Sequence, residues 1–412
     1  MPPATMRFLR LLDAEAGALP RAYWFVWAGT LVNRLGSFVL PMLTIYLTRR
    51  RGLSLEDAGF IVSGFGVGSL AGVTLGGVLA DRVGARFTLI LGLLCSSVCM
   101  LALGSATEGW QLGLAAFSLG LLGDIYRPAS TALIARIVPP EHRLKAFSLL
   151  FWAINLGFAL GTGVAGYLAE EHFTALFVGD AITTCIFAAI IYRFVPEPVR
   201  PPASKEESGS LLTPFFDLAF LPFLVLNFLI VVVFFQHLVS LPGHMSSVGL
   251  GSSDYGLAIA FNGVLIVLLQ PMAGRMLKNA DRAWVMAAGS LLTGVGMGIN
   301  AFAHGLPMFV FSVAVWTIGE IIMSPITSSI VADLSPEHLR GRYQGAFFVT
   351  WGLAMAVGPL LGPWVIRVSD LPTLWLGCVA VGAFCALGQL LIRKPLADRA
   401  AQLRAVARTA AG

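Results

Sequence analysis

Charged side chains are scarce in this sequence. Asp, Glu, Lys and Arg make up 12% of the 412 residues, about half of their share in soluble globular proteins. So small a share excludes a water-solvated domain with an ordinary charged surface. A disordered chain is excluded as well, because 57% of the residues are hydrophobic and disordered chains contain few large apolar side chains. With a mean hydropathy of +0.81, the chain is expected to have lipid as its main solvent.

Cysteines and recognisable catalytic motifs are also few. Each of the five cysteines lies inside an apolar stretch: Cys95, Cys99, Cys185, Cys378 and Cys385. Cys95 and Cys99 lie one helical turn apart, but two thiols without a neighbouring His or acid make a poor metal site. Small buried hydrophobic side chains are therefore the expectation. The phosphate-binding signature GxxxxGK[ST] does not occur, so that an ion gradient or the substrate gradient must supply the energy for any transport. We expect no enzyme activity, metal or cofactor.

Long apolar stretches are what the sequence has instead. A helix that crosses a bilayer needs about 20 predominantly apolar residues, and twelve stretches meet this requirement. They are centred in 22–47, 57–79, 87–106, 110–135, 146–168, 174–194, 219–241, 255–276, 284–303, 307–331, 344–366 and 372–392. The first is expected to be a retained helix, since it has no convincing signal-peptide cleavage site. The sequence therefore predicts an all-α membrane protein with twelve transmembrane helices.

The positive charges between the stretches predict the orientation. If both termini are cytoplasmic, most of the 27 Lys and Arg residues fall in cytoplasmic connections, as the positive-inside rule requires. The exceptions on the outer side are Arg49, Arg50, Arg51 and Arg367. Membrane topology thus accounts for the net charge of +5, and no nucleic-acid partner is expected. We predict a multi-pass protein of the cytoplasmic (inner) membrane.

The chain divides into two similar halves. Residues 196–217 are rich in proline and carry both signs of charge, which is typical of a linker. The segment GGVLADRVGARFTLILGLL of the first half matches AGRMLKNADRAWVMAAGSLL of the second, and RPASTALIARIVPPEH matches SPITSSIVADLSPEH. We predict pseudo-symmetric six-helix bundles at 1–195 and 218–394, a cytoplasmic linker at 196–217 and a basic cytoplasmic tail at 395–412. Such repeats enclose one substrate site between them, so a monomer is expected.

A glycine-rich, charged turn connects the second and third stretches. Its key residues are Gly77, Asp81, Arg82, Gly84 and Arg86. The turn resembles the motif between helices 2 and 3 of the major facilitator superfamily, and with the helices, the linker and the half-repeat this resemblance covers nearly the whole chain. It implies that Asp81 and its arginines bridge to the second half near helix 11 and hold a cytoplasmic gate closed. A solvated loop charge is the alternative. Lys278 stands at the place of Asp81 in the second half, so the gate is expected to be one-sided.

Glycines are regularly spaced on three of the predicted helices. They are Gly64, Gly68, Gly72 and Gly76 on helix 2, Gly157 and Gly161 on helix 5, and Gly358 and Gly362 on helix 11. Such rows allow close approach of helix backbones, either as static packing or as a sliding surface. The row on helix 5 resembles the glycine motif of drug–proton antiporters, although Thr162 stands where that motif usually has proline. Helix 11 matches more closely, with Pro359 beside Gly358.

Few polar side chains fall inside the predicted helices, where they are costly and default to functional roles. Helix 1 has Asn33 and Arg34, helix 4 has Asp124, Tyr126 and Arg127, helix 6 has Asp180, and helix 10 has Glu320. In the superfamily that the chain resembles, helices 1, 4, 7 and 10 line the central cavity. The resemblance therefore implies a substrate cavity between the halves. Further candidates for its lining are Asn155, Asn227, Trp316 and Trp351.

The pattern of these charges indicates different roles for the acids. Arg127 lies one turn from Asp124, and Arg34 can reach the same acid, so that this group either handles substrate or stabilises the fold. Glu320 has apolar neighbours and no cation in its own helix, and burial of a lone carboxyl disfavours its charged form. We predict that Glu320, with Asp124, couples transport to protons. The alternative is that Glu320 pairs across the cavity with Arg34 or Arg127.

Together these features predict a secondary active transporter that works by alternating access. The resemblance favours proton-coupled efflux of amphipathic or lipophilic small molecules, with the substrate, protons and the bilayer as partners. A carrier of an organic anion or nutrient, proton-coupled or facilitated, is the second hypothesis, because Arg34 and Arg127 could bind a carboxylate or phosphate as a fork. A non-transporting membrane sensor or scaffold is the third, but it would need neither intramembrane charges nor a gate motif.

Overall fold

The computed structural model describes residues 19–170, 172–197, 212–277, 280–336 and 339–411. All regular structure within these ranges is helical. Eleven helices are long and apolar enough to cross a membrane, and a twelfth span is interrupted at its centre. The predicted all-α membrane fold with twelve membrane helices is thus confirmed.

Six spans form the first half of the molecule. They are α1 (Arg21–Arg50), α2 (Leu55–Arg82), α3 (Ala85–Ser105), α4 (Gly109–Ser118, Leu119–Gly123 and Tyr126–Ile137), α5 (Arg143–Leu168) and α6 (Phe173–Phe194). Local sequence sets the ends of α2. The Ser54 hydroxyl accepts a hydrogen bond from the Asp57 amide at 3.0 Å and so caps the helix. Gly84 follows the other end with φ +113°, a conformation that disfavours any residue with a side chain.

Six spans and one further helix form the second half. They are α7 (Phe220–Ser247), α8 (Ser252–Met276), α9 (Arg282–Phe302), α10 (Leu306–Leu334), α11 (Arg340–Val368), α12 (Leu371–Leu391) and α13 (Arg393–Ala411). Carboxylates cap two of these helices. Asp281 accepts from the Ala283 amide at 3.0 Å at the start of α9, and Asp370 accepts from the Thr373 amide at 2.8 Å at the start of α12. Anionic caps are favoured there because a helix N-terminus carries partial positive charge.

Three spans are broken inside the bundle. Helix α1 loses its regular form between Arg21–Leu35 and Val39–Ile45, and α4 loses it between Gly123 and Tyr126. Helix α7 passes through a tight turn at Phe235–His237. Irregular backbone at membrane depth is stable only where protein or a cavity surrounds it. The breaks therefore mark α1, α4 and α7 as helices that face the interior.

The apolar cores reveal which side of the molecule is open. We call the side that holds the start of α1 and helix α13 the terminal side, and the opposite one the distal side. On the terminal side each half has a core of its own, around Tyr23 and Leu133 in the first half and around Phe220 and Leu334 in the second. On the distal side the cores contain residues of both halves, such as Leu43 beside Met355. The halves thus join distally, and the cleft between them opens to the terminal side.

Close backbone contacts join the halves along two helix pairs. Helix α2 packs on α11, where the Ser63 hydroxyl donates to the Ala356 carbonyl and a Cβ on Gly66 would lie 2.6 Å from the Met355 carbonyl oxygen. Helix α5 packs on α8, where a Cβ on Gly166 would lie 2.8 Å from the Gly256 Cα. Glycine is required at such positions because a side chain would separate the helices.

Two arginines that break the predicted charge bias close the distal side. Arg49 donates to the Leu250 carbonyl at 2.5 Å and to the Ser246 hydroxyl at 3.1 Å, so that α1 is bound to the end of α7. Arg367 on α11 forms an ion pair with Glu56 on α2 at 2.9 Å. Both cations therefore connect one half to the other.

The predicted C-terminal tail is a helix that docks on the second half. Arg399 on α13 donates to Asp217 at 3.1 Å, and Tyr343 on α11 donates to the same carboxylate at 2.7 Å. Burial alone would raise the pKa of Asp217, but these donors and the Ala219 amide outweigh it and hold the pKa below its usual value. Leu396 packs on the terminal core of this half. Most of the predicted linker, residues 198–211, lies outside the described residues.

Candidate functional site

An acid, a cation and a hydroxyl meet at the break in α4. The Asp124 carboxylate accepts a hydrogen bond from Arg127 Nε at 2.8 Å, one turn further along the helix. It also accepts one from the Ser69 hydroxyl on α2. Asp124 is buried, whereas 52% of the Arg127 side chain is exposed. The cation is therefore the part of this pair that is accessible from the cleft.

Arg34 lies between two acids. Its guanidinium is within electrostatic range of Asp124 on α4 and of Asp180 on α6, but it forms no ion pair within 4 Å with either among the described residues. It stacks over the Tyr126 ring at 5.7 Å. Its Nε atom is buried without a hydrogen-bond partner. The structure thus brings the predicted residues of α1 and α4 together, and adds Asp180 to the group.

A polar cavity of about 100 Å³ connects these side chains. Its walls come from all six helices of the first half and include Asn33, Arg34, Ser96, Asp124, Tyr126, Arg127, Asp180 and Thr184. Asn33 Nδ2 donates to the Thr184 hydroxyl at 2.8 Å and so ties α1 to α6. The cavity belongs to the first half alone, because none of its walls comes from the second half.

Glu320 lies in the second half, near the middle of α10. Its Oε2 accepts a hydrogen bond from Asn262 Nδ2 on α8 at 3.0 Å, and the same amide reaches Thr317 at 3.0 Å. Within the described part of the chain, no Lys or Arg nitrogen lies within 4 Å of this carboxylate. The alternative pairing of Glu320 with Arg34 or Arg127 is thus not formed in this structure. One neutral amide is the main polar contact of the acid.

Aromatic rings surround the break in α7, close to Glu320. Trp316 lies one turn before Glu320 and packs edge-on against Phe234, with a centroid distance of 5.4 Å. Trp351 on α11 contacts the same ring at 5.9 Å. His237 hydrogen-bonds the Phe234 carbonyl through Nδ1 at 2.7 Å. The second half therefore carries an aromatic cluster at the break in α7, whereas the cavity of the first half is lined by two arginines and two acids.

Two of the predicted lining residues are buried in helix contacts. Trp316 is 1% exposed, so that it backs the aromatic cluster and faces no open space. Asn227 is also buried, and its amide donates to the Thr350 hydroxyl at 2.7 Å, which joins α7 to α11. In this structure neither side chain faces open space, because the Asn227 amide and the Trp316 ring are engaged by neighbouring helices. Asn155 donates to the Phe151 carbonyl of its own helix at 2.9 Å.

In the charged turn between α2 and α3, Asp81 and Arg86 contact residues of their own half. Asp81 is 77% exposed on its side chain and accepts from Arg136 on α4 at 3.2 Å. Arg86 donates to the Tyr192 carbonyl on α6. The bridge from Asp81 to α11 that the resemblance implied is not formed here, because the terminal side on which it would form is open. Lys278 lies outside the described residues.

A search of family models decides the classification. The model described as Major Facilitator Superfamily matches residues 26–253 and 224–410. The chain belongs to this superfamily. It is therefore a multi-pass membrane protein of a transporter family.

Curated relatives of the superfamily align along most of the chain. The multidrug resistance protein MdtH of Escherichia coli O157:H7 is 25% identical over 397 residues, which is 91% of this chain and 96% of MdtH. A Na(+), Li(+), K(+)/H(+) antiporter of Planococcus maritimus is 25% identical over 389 residues, with 85% and 89% coverage. The uncharacterized MFS-type transporter YqjV of Bacillus subtilis is 24% identical over 351 residues, with 83% and 84% coverage.

Solved structures of the superfamily share the fold. A POT family transporter in complex with 5-aminolevulinic acid superposes with a TM-score of 0.80 at 17% identity, over 92% of this chain and 97% of the other. The nucleoside transporter NupG superposes with a TM-score of 0.75 at 14% identity, over 90% and 100%. At such low sequence identities the similarity shows the fold but does not indicate the substrate.

The glycine rows of this superfamily member pack against specific helices. Gly68, Gly72 and Gly76 face the α4 backbone, Gly157 and Gly161 face α1 around Arg34, and Gly358 and Gly362 face α7. Gly64 has open space at its Cβ position. Residues at intervals of four drift by about 40° per step around a helix of 3.6 residues per turn. Gly64 therefore points about 120° away from Gly76, and the row of four is not one contact face.

Sequence reasoning missed several partners of the site. Ser69 holds Asp124, Thr317 shares the Asn262 amide with Glu320, and Glu197 accepts from the Arg86 and Phe87 amides at 3.3 and 3.2 Å to cap α3. A lone hydroxyl in an apolar helix carries no signal of its own. Glu197 lies at the edge of the linker, where a charge is expected to be solvated.

Proposed function

We propose that the protein exports amphipathic or lipophilic small molecules in exchange for protons. The terminal side then faces the cytoplasm, both termini are cytoplasmic, and the membrane is the cytoplasmic (inner) membrane. The observation that carries the proposal is Glu320. It is the acid of the second half that lies deep in the bundle, with an amide beside it and, among the described residues, no cation in contact. Two relatives, a multidrug resistance protein and a cation/proton antiporter, support the same proposal by their names.

The physical argument concerns the cost of a charge inside the membrane. A charged carboxylate at this depth is expensive, whereas the protonated acid is tolerated. A closed cleft without substrate therefore requires the proton, while water or a cationic substrate in the cleft stabilises the carboxylate. Proton and substrate then compete for one site. Because binding of either excludes the other, the two move in opposite directions through the same alternating cleft.

The aromatic cluster favours apolar and planar substrates. Phe234 and Trp351 are partly exposed at the break of α7 and contact each other, with the buried Trp316 behind Phe234. Aromatic rings supply large apolar area together with attraction for cations. This combination needs few directed hydrogen bonds. It suits a range of related compounds better than one polar metabolite.

A carrier of an organic anion is the second candidate, and Arg127 favours it. Its side chain is 52% exposed toward the cleft, and Arg34 lies nearby. Arg127 already donates to Asp124 at 2.8 Å, so that an anion would compete with an internal carboxylate. For this reason we rank anion transport below efflux.

Transport in proteoliposomes tests the proposal. Glu320→Gln imitates the protonated acid permanently, so that accumulation of a lipophilic cation driven by a pH gradient should be abolished. Exchange of labelled for unlabelled substrate at equilibrium should persist, because it needs no net proton movement. Glu141 is an exposed acid between α4 and α5. The Glu141→Gln variant is the matched control and should transport substrate at the wild-type rate. Accumulation by Glu320→Gln at the wild-type level would refute the coupling role. Uptake of one organic anion that saturates and ignores Glu320 would support the second candidate.

A further inference from the structure

Asp180 holds together the break in α1. It lies within α6 (Phe173–Phe194) and is 2% exposed. Its Oδ2 accepts hydrogen bonds from the amides of Phe38 and Val39, both at 3.2 Å. These amides open the second segment of α1, Val39–Ile45. A side chain of another helix thus supplies the N-terminal cap that the segment itself lacks, and an anion is the preferred cap at that end.

The other oxygen of the same carboxylate has no hydrogen-bond partner. Oδ1 of Asp180 is buried without a hydrogen-bond partner, and the Thr184 hydroxyl one turn away lies close to the carboxylate without reaching hydrogen-bond geometry with that atom. Asp180 borders the polar cavity of the first half, as does Arg34, whose Nε is also buried and unpartnered. A volume of about 100 Å³ accommodates about three water molecules at the density of liquid water. The cavity therefore has room for water beside Asp180.

The charged surroundings of Asp180 are few. Helix α1 contributes Arg34, and α4 contributes Asp124, Tyr126 and Arg127 across the cavity. The ionisable residues of the other neighbouring helices are Arg86, Cys95 and Cys99 on α3, Arg143, Lys145 and Tyr167 on α5, and Cys185, Tyr192 and Arg193 on α6 itself. Apart from the three thiols, these lie at helix ends. Arg34 is thus the cation whose electrostatic surroundings change when Asp180 gains or loses a proton. Asp124 already has Arg127 and Ser69 as partners.

The segment that Asp180 caps also closes the distal side. Thr44, within Val39–Ile45, donates to the Leu238 carbonyl on α7 at 2.6 Å, and Arg49 follows with its contacts to the end of α7. A carboxylate attracts two amides with a full negative charge, whereas a protonated acid offers them only a weak neutral acceptor. The state of Asp180 therefore bears directly on how firmly α1 holds the two halves together.

We propose that Asp180 is a second proton-binding site and that its protonation releases the capped segment of α1, so that the distal side can open. Arg34, freed from the field of Asp180, then turns toward Asp124. This inference rests on the proposed proton coupling, but it assigns the control of distal opening to the first half and leaves substrate competition with Glu320.

Hydrogen exchange of the purified protein in lipid nanodiscs tests this assignment without any transport. After division by the intrinsic rate of amide exchange, protection at Phe38 and Val39 should fall about tenfold as the pH is lowered through the titration of Asp180, the effect of losing a charged cap. In Asp180→Asn the side-chain amide still offers one oxygen as a hydrogen-bond acceptor, but it is uncharged. Protection of the Phe38 and Val39 amides should therefore be low and independent of pH. Glu320→Gln, in the other half of the molecule, is the control and should keep the wild-type response.

The outcomes separate this inference from the proposed function. If Asp180→Asn fails to fold, the wild-type profile alone decides, because a protection factor that is constant over pH at Phe38 and Val39 overturns the proposal. A pH response that persists in Asp180→Asn overturns it as well. If the response is present but Glu320→Gln still accumulates substrate, Asp180 remains a proton site and the assignment of Glu320 is what fails.

Discussion

The packing of α2 on α11 predicts which residues meet when the terminal side closes. At the centre of this antiparallel pair, Leu70 packs against Gly352. Two further turns toward the terminal side lead to Gly77 on α2 and back to Gly345 on α11. Both glycines have open space at their Cβ positions in this structure. We expect them to come into backbone contact in the state that opens distally, as Gly66 and Met355 do on the distal side now.

Gly77→Leu should therefore trap the molecule with its terminal side open. In the present state a Cβ at this position has open space, and the substitution gains about 1 kcal/mol of helix propensity. In the closed state it meets a backbone: on the distal side, a Cβ at Gly66 would lie 2.6 Å from the Met355 carbonyl oxygen. Overpacking of this kind costs about 1–3 kcal/mol. Such a difference shifts a two-state equilibrium by about 5–150-fold, and transport should fall by a similar factor.

Distances between labels across the terminal side provide the assay. In a variant without native cysteines, labels at Glu141 and Met276 report the separation of α5 and α8 at their exposed terminal ends. Wild type should show both a long and a short distance under conditions of turnover, and Gly77→Leu only the long one. Gly64→Leu is the matched control, since Gly64 also has open space but shares the exposed face of Phe60 and Val67. A short distance in Gly77→Leu, or equal loss of transport in Gly64→Leu, would refute the register argument.

Two further predictions use the charges. Asp81→Asn should lower transport and shift the same pair of labels toward the long distance. The ion pair of Asp81 with Arg136 is exposed and contributes little to the present state, whereas the state with the terminal side closed loses the acid that holds its gate. Unchanged distances with unchanged transport would remove any gate role. Neutralising Asp124 should destabilise the protein by less than the roughly 3–5 kcal/mol of a fully buried pair, because Arg127 is 52% exposed and only Arg34 is left as a buried cation. The loss should exceed that from neutralising Arg34, and the variant that neutralises both Arg34 and Asp124 should be more stable than Asp124→Asn alone. Strictly additive losses in thermal unfolding would argue against coupling.

Hydropathy and charge predicted the architecture because the bilayer imposes both. Twelve apolar stretches and the linker between two halves follow from the thickness of the hydrocarbon core and from the cost of unpaired backbone groups within it. The break of α4 at Asp124 could not be predicted from hydropathy. A continuous helix with an acid in its middle and two shorter helices that meet at that acid have the same composition. Docking of α13 through Arg399 and Asp217 was equally hidden, because these residues are far apart in the sequence.

The cavity lining was harder to predict for a related reason. In a soluble helix the polar face marks the outside, but a helix in lipid is apolar on both its lipid face and its packed face. Nothing in the sequence distinguishes Trp316, which is buried against Phe234, from a tryptophan that faces a cleft. Asn227 shows the same ambiguity, because a single polar residue in an apolar helix can be satisfied by one hydroxyl of a neighbour, here Thr350. The acids carry a stronger signal, since a buried charge can be satisfied in fewer ways than an amide.

The polar residues of the bundle concentrate where helices break, and this has a consequence for mechanism. Asp124 lies at the break of α4, Asp180 caps the break of α1, and at the break of α7 the Tyr255 hydroxyl donates to the His237 carbonyl at 3.1 Å. Each break frees backbone groups that lipid cannot satisfy, so a polar partner is required there. If that partner is a carboxylate, gain of a proton weakens the bond that holds the break. A transporter built in this way can couple proton binding to helix movement through local capping energies of about 1 kcal/mol, without a separate transmission pathway.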